Sequence, residues 1–181
     1  TVFHHGINEW RDSIYSFCVP SIANLYLRWW KPLEPGKNRG PGIDPILGDH
    51  FDGFNNKVTA IAVANPSPEK GGDRLTTRAA GFGVTRINKK TRDVTFICWP
   101  RNVDVTAKDA KPYPGWPFTF NQLDNYGRKA VAYLPSLQID KENQVVQVIN
   151  EKTREIVYTL RIKGTTFRPK VFTDGSYTIN V

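Results

Sequence analysis

The sequence contains no methionine, two cysteines and three histidines among its 181 residues. Because a start residue is missing, we expect Thr1 to follow a processing site or a cut in a longer protein. No run approaches the roughly 20 apolar residues needed to cross a bilayer, so no membrane span is predicted. Zinc centres built on paired cysteines and histidines are excluded, since no CxxC or Cys/His spacing exists.

Motifs for nucleotide binding and for nucleophilic catalysis are absent as well. The sequence has no GxGxxG, no GxxxxGK[ST] and no GxSxG, and these are the loops that cradle phosphates or present a nucleophilic serine. Cys18 and Cys98 lie in apolar runs, which are typical of buried thiols. The alternative is a disulfide between them, which can form in an exported protein. No sequence feature identifies a pair of carboxylates that could carry out acid–base catalysis. The residues therefore predict no complete catalytic centre and no cofactor.

Positive charge is in excess, with a formal net charge of +8. Such a balance favours polyanionic partners such as acidic glycans, nucleic acid or phosphorylated polymers. The alternative is that the charge serves solubility alone, because the cations are spread along the chain without a block of five or six.

Short alternating runs separated by turn residues predict a mostly-β chain with little helix. A long loop rich in Gly, Pro and Asp is predicted over residues 31–55. Two domains are predicted, residues 1–55 and an antiparallel, Ig-like β-sandwich over residues 56–181. The predicted strands cover residues 1–6, 15–22, 57–64, 80–87, 93–99, 128–139, 145–149 and 156–162, with 171–172 and 177–181 around a last turn.

One turn sequence occurs twice. The runs RINKKTRD and VINEKTRE share Asn-x-Lys-Thr-Arg followed by an acidic residue, beginning at Asn88 and Asn150. With two copies, the same hairpin turn used twice is a better interpretation than a repeat architecture. We expect each asparagine to bond its own backbone, and the Lys and Arg side chains to solvate the tip.

Imidazole is a common metal ligand, and the sequence offers three histidines. His4 and His5 are neighbours in a predicted strand, so they point to opposite faces and cannot both hold one ion. Asp49, His50 and Asp52 combine carboxylates with an imidazole in a loop, a set that suits a hard cation. Asp and Gly also make turns, and the spacing fits no calcium loop. These three are minor candidates, and no metal ligand is assigned.

Aromatic residues stand next to cations at several points. Trp99 and Arg101 form one such group, and Trp116 lies on the stiff segment YPGWP. Indoles beside cations can stack on sugars or bases while the cations hold acidic groups, so these three are candidate ligand-binding residues. The alternative is an aromatic core between two layers.

Three segments resemble one family. Residues 4–24 (HHGINEWRDSIYSFCVPSIAN), 113–137 and 145–172 are similar to the C-terminal region of PhoD-like metallophosphatases, calcineurin-like phosphoesterases of the alkaline phosphatase D family in environmental bacteria. The resemblance implies that residues 1–55 are the terminal β-hairpin and cleft loop of a truncated α/β/β/α catalytic domain. The Gly-Asp-x-His motif of the family would precede Thr1. No metal ligand is therefore transferred to this chain, and Gly48-Asp49-His50 does not replace the motif.

The resemblance also implies a function and a place. The intact parent would be an exported enzyme, periplasmic, cell-surface or extracellular, that hydrolyses phosphate mono- or diesters with divalent metals held in the rest of its catalytic domain. This chain would be inactive alone, and its partners would be that domain and an anionic, phosphate-containing substrate. The cleft-flanking residues would be Ser21, Asn24, Arg28, Trp29, Trp30 and Lys31. The alternatives are a non-catalytic module that binds acidic glycans or other polyanions, and a structural surface or assembly domain.

Overall fold

The computed structural model describes residues 1–20, 30–64 and 81–181. Every strand pair within this part of the chain is antiparallel, and the one described helix is a short 3-10 helix, Gln122–Tyr126, so the mostly-β prediction is confirmed. No helix among the described residues has the length and apolar character needed to cross a membrane. The chain divides into two compact units, Thr1–Arg128 and Lys129–Val181.

The described part of unit 1 contains two antiparallel sheets. Four strands form the first sheet in the order β2-β1-β4-β3, and three strands form the second in the order β5-β6-β7. The strands are β1 (Val2–Gly6), β2 (Tyr15–Phe17), β3 (Gly48–Phe51), β4 (Lys57–Ala62), β5 (Gly81–Ile87), β6 (Asp93–Pro100) and β7 (Phe118–Asn121).

One hydrophobic core joins these two sheets. Val2 and Ala62 enter it from the first sheet, and Phe96, Cys98 and Phe120 enter it from the second. Aromatic rings make the contacts across the interface, with centroid distances of 4.6 Å for Phe17–Phe96 and 4.3 Å for Tyr15–Phe120. Stacked rings at this spacing contribute beyond the area they bury. The β1–β2 hairpin is therefore held by packing against the second sheet.

Strand β3 lies within the stretch that was predicted as a loop, and that prediction is wrong for residues 48–51. Asp49 pairs with Thr59 and His50 with Val58 in the ladder with β4. The predicted domain boundary at residue 55 falls in the connection between these two paired strands. Since β4 also pairs with β1, residues on both sides of that boundary share one sheet.

Unit 2 is built from short ladders. Strands β10 (Val145–Asn150), β11 (Ile156–Arg161) and β14 (Tyr177–Asn180) form a three-stranded sheet in the order β11-β10-β14. Two further ladders pair β8 (Ala132–Tyr133) with β13 (Lys170–Val171), and β9 (Leu137–Gln138) with β12 (Thr166–Phe167). The buried apolar side chains of this unit include Val146, Val148, Leu160, Ile162 and Val171.

Further strand predictions differ from the structure. The predicted strand over residues 128–139 is divided into β8 and β9, because Pro135 between them has no N–H to donate to a ladder. Strands β7 and β12 are not among the strands predicted from the sequence. As predicted, the last two strands flank one turn, and they pair with other strands, β13 with β8 and β14 with β10.

The turn predicted to occur twice has the same geometry in both places. Asn88 Oδ1 accepts from the N–H groups of Lys90 and Thr91 at 2.9 and 3.2 Å, and Asn150 Oδ1 accepts from those of Lys152 and Thr153 at the same two distances. The following arginines, Arg92 and Arg154, both have left-handed backbone with φ of 70° and 62°. The asparagine-bonded turn is confirmed.

The paired histidines of β1 face opposite sides of the sheet, as predicted. His4 is buried, stacks on Tyr15 at 3.9 Å and bonds the Ser13 carbonyl through Nε2 at 3.2 Å. Burial lowers the pKa of His4, because desolvation disfavours the imidazolium. His5 is half-buried and bonds Ser16 Oγ at 2.8 Å.

The two cysteines are free thiols in different surroundings. Cys18 is exposed just after β2, and Cys98 is buried in the core on β6. Burial raises the pKa of the Cys98 thiol to about 11. The disulfide that the sequence left open does not form in this structure.

Candidate binding site

The buried carboxylate of Asp49 organises one end of unit 1. Its side chain is fully buried and accepts hydrogen bonds from Arg11 Nη2 at 2.7 Å, Asn38 Nδ2 at 2.8 Å and Thr59 Oγ1 at 2.5 Å. A buried charge is tolerated when a counter-ion and further donors satisfy it. Asp49 therefore ties together the β1–β2 loop, the segment before β3 and strand β4.

The backbone of Asp49 repeats this connection. Its N–H donates to the Lys37 carbonyl at 2.8 Å, and its carbonyl accepts from the Lys37 N–H at 2.9 Å. This bridge covers the outer edge of β3, which would otherwise leave unpaired backbone groups. Residues before β3 are thereby held beside the strand, which places Lys37 at the cavity described below.

His50 points to the other face of β3. It is 8% exposed, and its Nε2 lies 3.1 Å from the Ile46 carbonyl, so Nε2 carries the proton and donates. Trp30 packs edge-on against this ring, with centroids 4.9 Å apart. A Cβ on Gly36 would come within 2.7 Å of Nε2, so Gly36 makes room for the imidazole.

Asp52 closes the turn that follows β3. Its side chain accepts from the N–H groups of Phe54 and Asn56 and from Asn56 Nδ2, at 2.8 to 2.9 Å. The Asn56 side-chain hydrogen bond is the main cause that lowers the pKa of Asp52.

The three minor metal candidates therefore have structural partners. Both carboxylate oxygens of Asp49 are bonded, the Nε2 of His50 carries a proton, and Asp52 holds a turn. Within residues 1–20, 30–64 and 81–181, no group of three or more His, Cys, Asp or Glu side chains could hold a metal ion. These residues do not fit the ligand set of a divalent metal centre.

A cavity of about 490 Å³ opens beside this cluster. Among the described residues, Trp10, Trp30 and Phe51 line it with aromatic rings. Phe51 is 54% exposed, and its ring centroid lies 5.1 Å from that of Trp10. Polar and charged lining residues surround them. The lining includes Trp10, Trp30, Lys31, Glu34, Lys37, Asp49, His50, Phe51 and Asp52. Apolar walls with a few charged groups at the rim are typical of a small-ligand or saccharide site.

This cavity is lined by residues from two groups that were predicted as separate sites. Trp30 and Lys31, predicted to flank a cleft, line it together with the three minor metal candidates. Trp30 is held in place by edge-on contact with Phe3 at 5.1 Å as well as by His50. The other predicted cleft-flanking residues, Ser21, Asn24, Arg28 and Trp29, lie outside the described residues.

The remaining ligand-binding candidates do not form one site. Trp116 is 6% exposed and packs in the core with Cys98 and Tyr113. Trp99 is the next residue after Cys98 on β6, so it points to the opposite face of the sheet. Arg101 is exposed just beyond β6. Trp116 therefore has the core role that was the alternative interpretation.

Several residues of the cavity region were missed from the sequence. Arg11 and Asn38 reach Asp49 from 38 and 11 residues away, and no local motif links them. Phe51 was read as part of a loop. The four residues Gly48-Asp49-His50-Phe51 do not alternate between polar and apolar, so the sequence carries no local signal for this strand.

Comparisons with known proteins give no relatives on which to draw: no family model, no curated protein and no solved structure matches this chain.

Proposed function

We propose that this chain is the β-rich C-terminal portion of an exported PhoD-like metal-dependent phosphoesterase, in which the cavity beside β3 contacts the anionic substrate. The resemblance of residues 4–24, 113–137 and 145–172 is one ground for the proposal. The observation that carries it is the cavity itself, which brings Trp30 and Lys31 together with Lys37. Ammonium groups at the rim attract phosphate esters, and aromatic walls accept the organic part.

In this proposal the parent hydrolyses phosphate mono- or diesters with metal-activated water. The divalent metals are held by the rest of the catalytic domain, since the described residues of this chain do not fit them. Lys31 and Lys37 bind and orient the phosphate group, and Trp10 and Phe51 exclude water from one side of it. No covalent step is assigned to a residue of this chain.

The finer architecture is part of the same proposal. Residues 1–55 would correspond to the terminal hairpin and cleft loop of an α/β/β/α domain, and the strands from residue 56 to an Ig-like sandwich. Support for a sandwich comes from unit 1, where two antiparallel sheets share one core and three of the four strands of the first sheet precede residue 56. The pairing of β1 with β4 makes the hairpin continuous with the strands that follow it.

The test measures turnover and binding separately on the isolated chain. With added divalent metals, we expect no turnover of bis-p-nitrophenyl phosphate or of p-nitrophenyl phosphate, because the metal ligands lie elsewhere. Turnover by the purified chain would overturn that assignment. We also expect a weak affinity for these esters, measured by NMR titration, that falls about fivefold in Lys31→Glu. Lys163→Glu makes the same charge change in unit 2 and serves as the control.

The second candidate is a non-catalytic module for acidic glycans. The aromatic lining of the cavity favours it, because Trp10, Trp30 and Phe51 offer surfaces on which a sugar ring can stack. Phe51→Ala is the sharpest variant, since this ring is half-exposed and its loss leaves the core intact. Loss of glycan binding in Phe51→Ala, with ester binding unchanged, would favour this candidate over the first.

A further inference from the structure

The two copies of the asparagine-bonded turn differ in charge although their backbones agree. The first tip, Asn88 to Asp93, carries Lys89, Lys90 and Arg92 against one carboxylate. The second tip, Asn150 to Glu155, has Glu151 in the place of Lys89 and is neutral. Because the hydrogen bonds of the two turns are the same, the extra charge of the first tip is not required by the turn.

Strand β5, which leads into the first tip, adds a further positive charge at Arg86. Arg86 pairs with Thr95 across β5 and β6, and Thr95 pairs with Thr119 across β6 and β7. The three side chains therefore form one cross-strand row on one face of the sheet. At the matching position of the second turn stands Val148, which is fully buried.

A surface hollow of about 570 Å³ lies over this row and the tip. Arg86, Lys89, Lys90, Thr95, Thr119 and Asp93 line it. In the described part of the chain, no carboxylate lies within ion-pair distance of the three lining cations, Arg86, Lys89 and Lys90. Asp93 accepts instead from Asn121 Nδ2 at 2.9 Å, and its hydrogen bonds with Thr91 and Asn121 lower its pKa.

The hydroxyl groups of the row add neutral donors. Thr95 Oγ1 and Thr119 Oγ1 are 2.8 Å apart, so one hydroxyl donates to the other. The other hydroxyl keeps a proton that this hydrogen bond does not use. Guanidinium, ammonium and hydroxyl donors that line one hollow suit the three oxygens of a tetrahedral ester group.

We propose that the hollow at the β5–β6 tip is a binding site for the sulfate groups of a sulfated glycan. None of the eight described residues that line it is aromatic. Single-stranded nucleic acid is bound largely by stacking of its bases on aromatic side chains, so this lining favours a sulfated sugar. The site shares no residue with the cavity beside β3, and the inference does not depend on the phosphoesterase proposal.

The matched turns provide the test. Lys90 and Lys152 occupy the same position in the same turn, so Lys90→Glu and Lys152→Glu make one charge change at two tips. We expect Lys90→Glu to weaken binding of the full chain to heparin about fivefold, the scale of one exposed charge contact. We expect Lys152→Glu to change it less than twofold. Affinity is measured by titration at fixed salt, and the salt at elution from immobilised heparin is recorded.

A variant that leaves the net charge unchanged distinguishes a specific binding site from attraction by the net charge of the protein. Thr119→Val keeps a β-branched residue in β7 and leaves the net charge unchanged. We expect this variant to weaken heparin binding about twofold, because one hydroxyl donor is lost. Far-UV circular dichroism shows that each variant is folded.

Two results would overturn the proposal. Equal losses in Lys90→Glu and Lys152→Glu, with none in Thr119→Val, would mean that heparin senses only the net charge. Binding of a single-stranded oligonucleotide more tightly than heparin, with the same dependence on the variants, would assign the hollow to nucleic acid. Both outcomes leave the result of the phosphoester assay unaffected.

Discussion

At the scale of single residues, the described part of unit 1 is organised by a few buried polar side chains. Asp49 collects three donors from three segments, and His4 and His50 each bond a backbone carbonyl. The opposed faces of His4 and His5 could be predicted, because alternation is a property of the strand itself. The Arg11–Asp49 pair could not, because it depends on how distant segments are brought together.

Arg11 neutralises the fully buried carboxylate of Asp49, so its removal should be costly. We expect Arg11→Met to lower the free energy of unfolding by about 2 kcal/mol, because the carboxylate keeps two neutral donors but loses its counter-ion. Urea denaturation measures the change. Arg101→Met, at an exposed position, is the control and should change stability by less than about 0.5 kcal/mol. Equal effects of the two substitutions would contradict the role given to the buried pair.

The lowered pKa of His4 predicts a pH dependence of stability. Since the folded pKa lies below the ordinary value of 6.5, the unfolded chain takes up a proton at this site first as the pH falls. Stability contributed by neutral His4 is thus complete above pH 6.5 and is lost as the pH falls from there through the folded pKa. In His4→Gln we expect a flatter curve of unfolding free energy against pH below 6.5. An unchanged slope would show that another group titrates.

At the scale of elements, local patterns predicted the hairpins β5–β6 and β10–β11, because each turn fixes the register of its neighbouring strands. They failed at β3, where Gly, Pro and Asp around four residues indicated a loop. That strand is held by Asp49 and by the Lys37 bridge, which are tertiary contacts. The candidate site was found only in part for the same reason: Trp30 and Lys31 were identified, but the cavity that includes them is formed by β3.

The left-handed arginine of the second turn offers a stabilising substitution. Arg154 has φ of 62°, a conformation that costs a side chain about 1 kcal/mol and that glycine adopts freely. We expect Arg154→Gly to raise the unfolding free energy by up to about 1 kcal/mol. Lys152→Gly, at a position of the same turn without positive φ, should lower it. If Arg154→Gly destabilises the protein, the contacts of the Arg154 side chain stabilise it by more than the left-handed backbone costs.

At the scale of the whole molecule, each compact unit has buried apolar residues of its own. The aromatic core of Phe96, Trp116 and Phe120 lies within residues 1–128, and Val146, Val148 and Ile162 lie within residues 129–181. The long-range pairing of β1 with β4 joins the first strand of unit 1 to residues 57–62. Sequence patterns do not report such pairings, since the partners are more than 50 residues apart.

This division predicts how truncated chains behave. A chain of residues 1–128 keeps both sheets of unit 1 and their shared core, so we expect a cooperative urea transition. A chain of residues 56–181 loses β1, β2 and β3, which exposes β4 and removes Val2 and Phe17 from the core. We expect it to aggregate or to lack near-ultraviolet circular dichroism. A cooperative transition in the second chain, with none in the first, would contradict the division at Arg128.

The unequal burial of the two cysteines allows the unmodified chain to be labelled at one site. With a pKa of about 11, the buried Cys98 thiol is ionised in only about one molecule in ten thousand at neutral pH. Cys18 is exposed beside β2. A maleimide dye should therefore attach at a single place without any engineering. Ligand titrations could then be followed by the fluorescence of one defined label, and a second label per molecule would report that the core had opened.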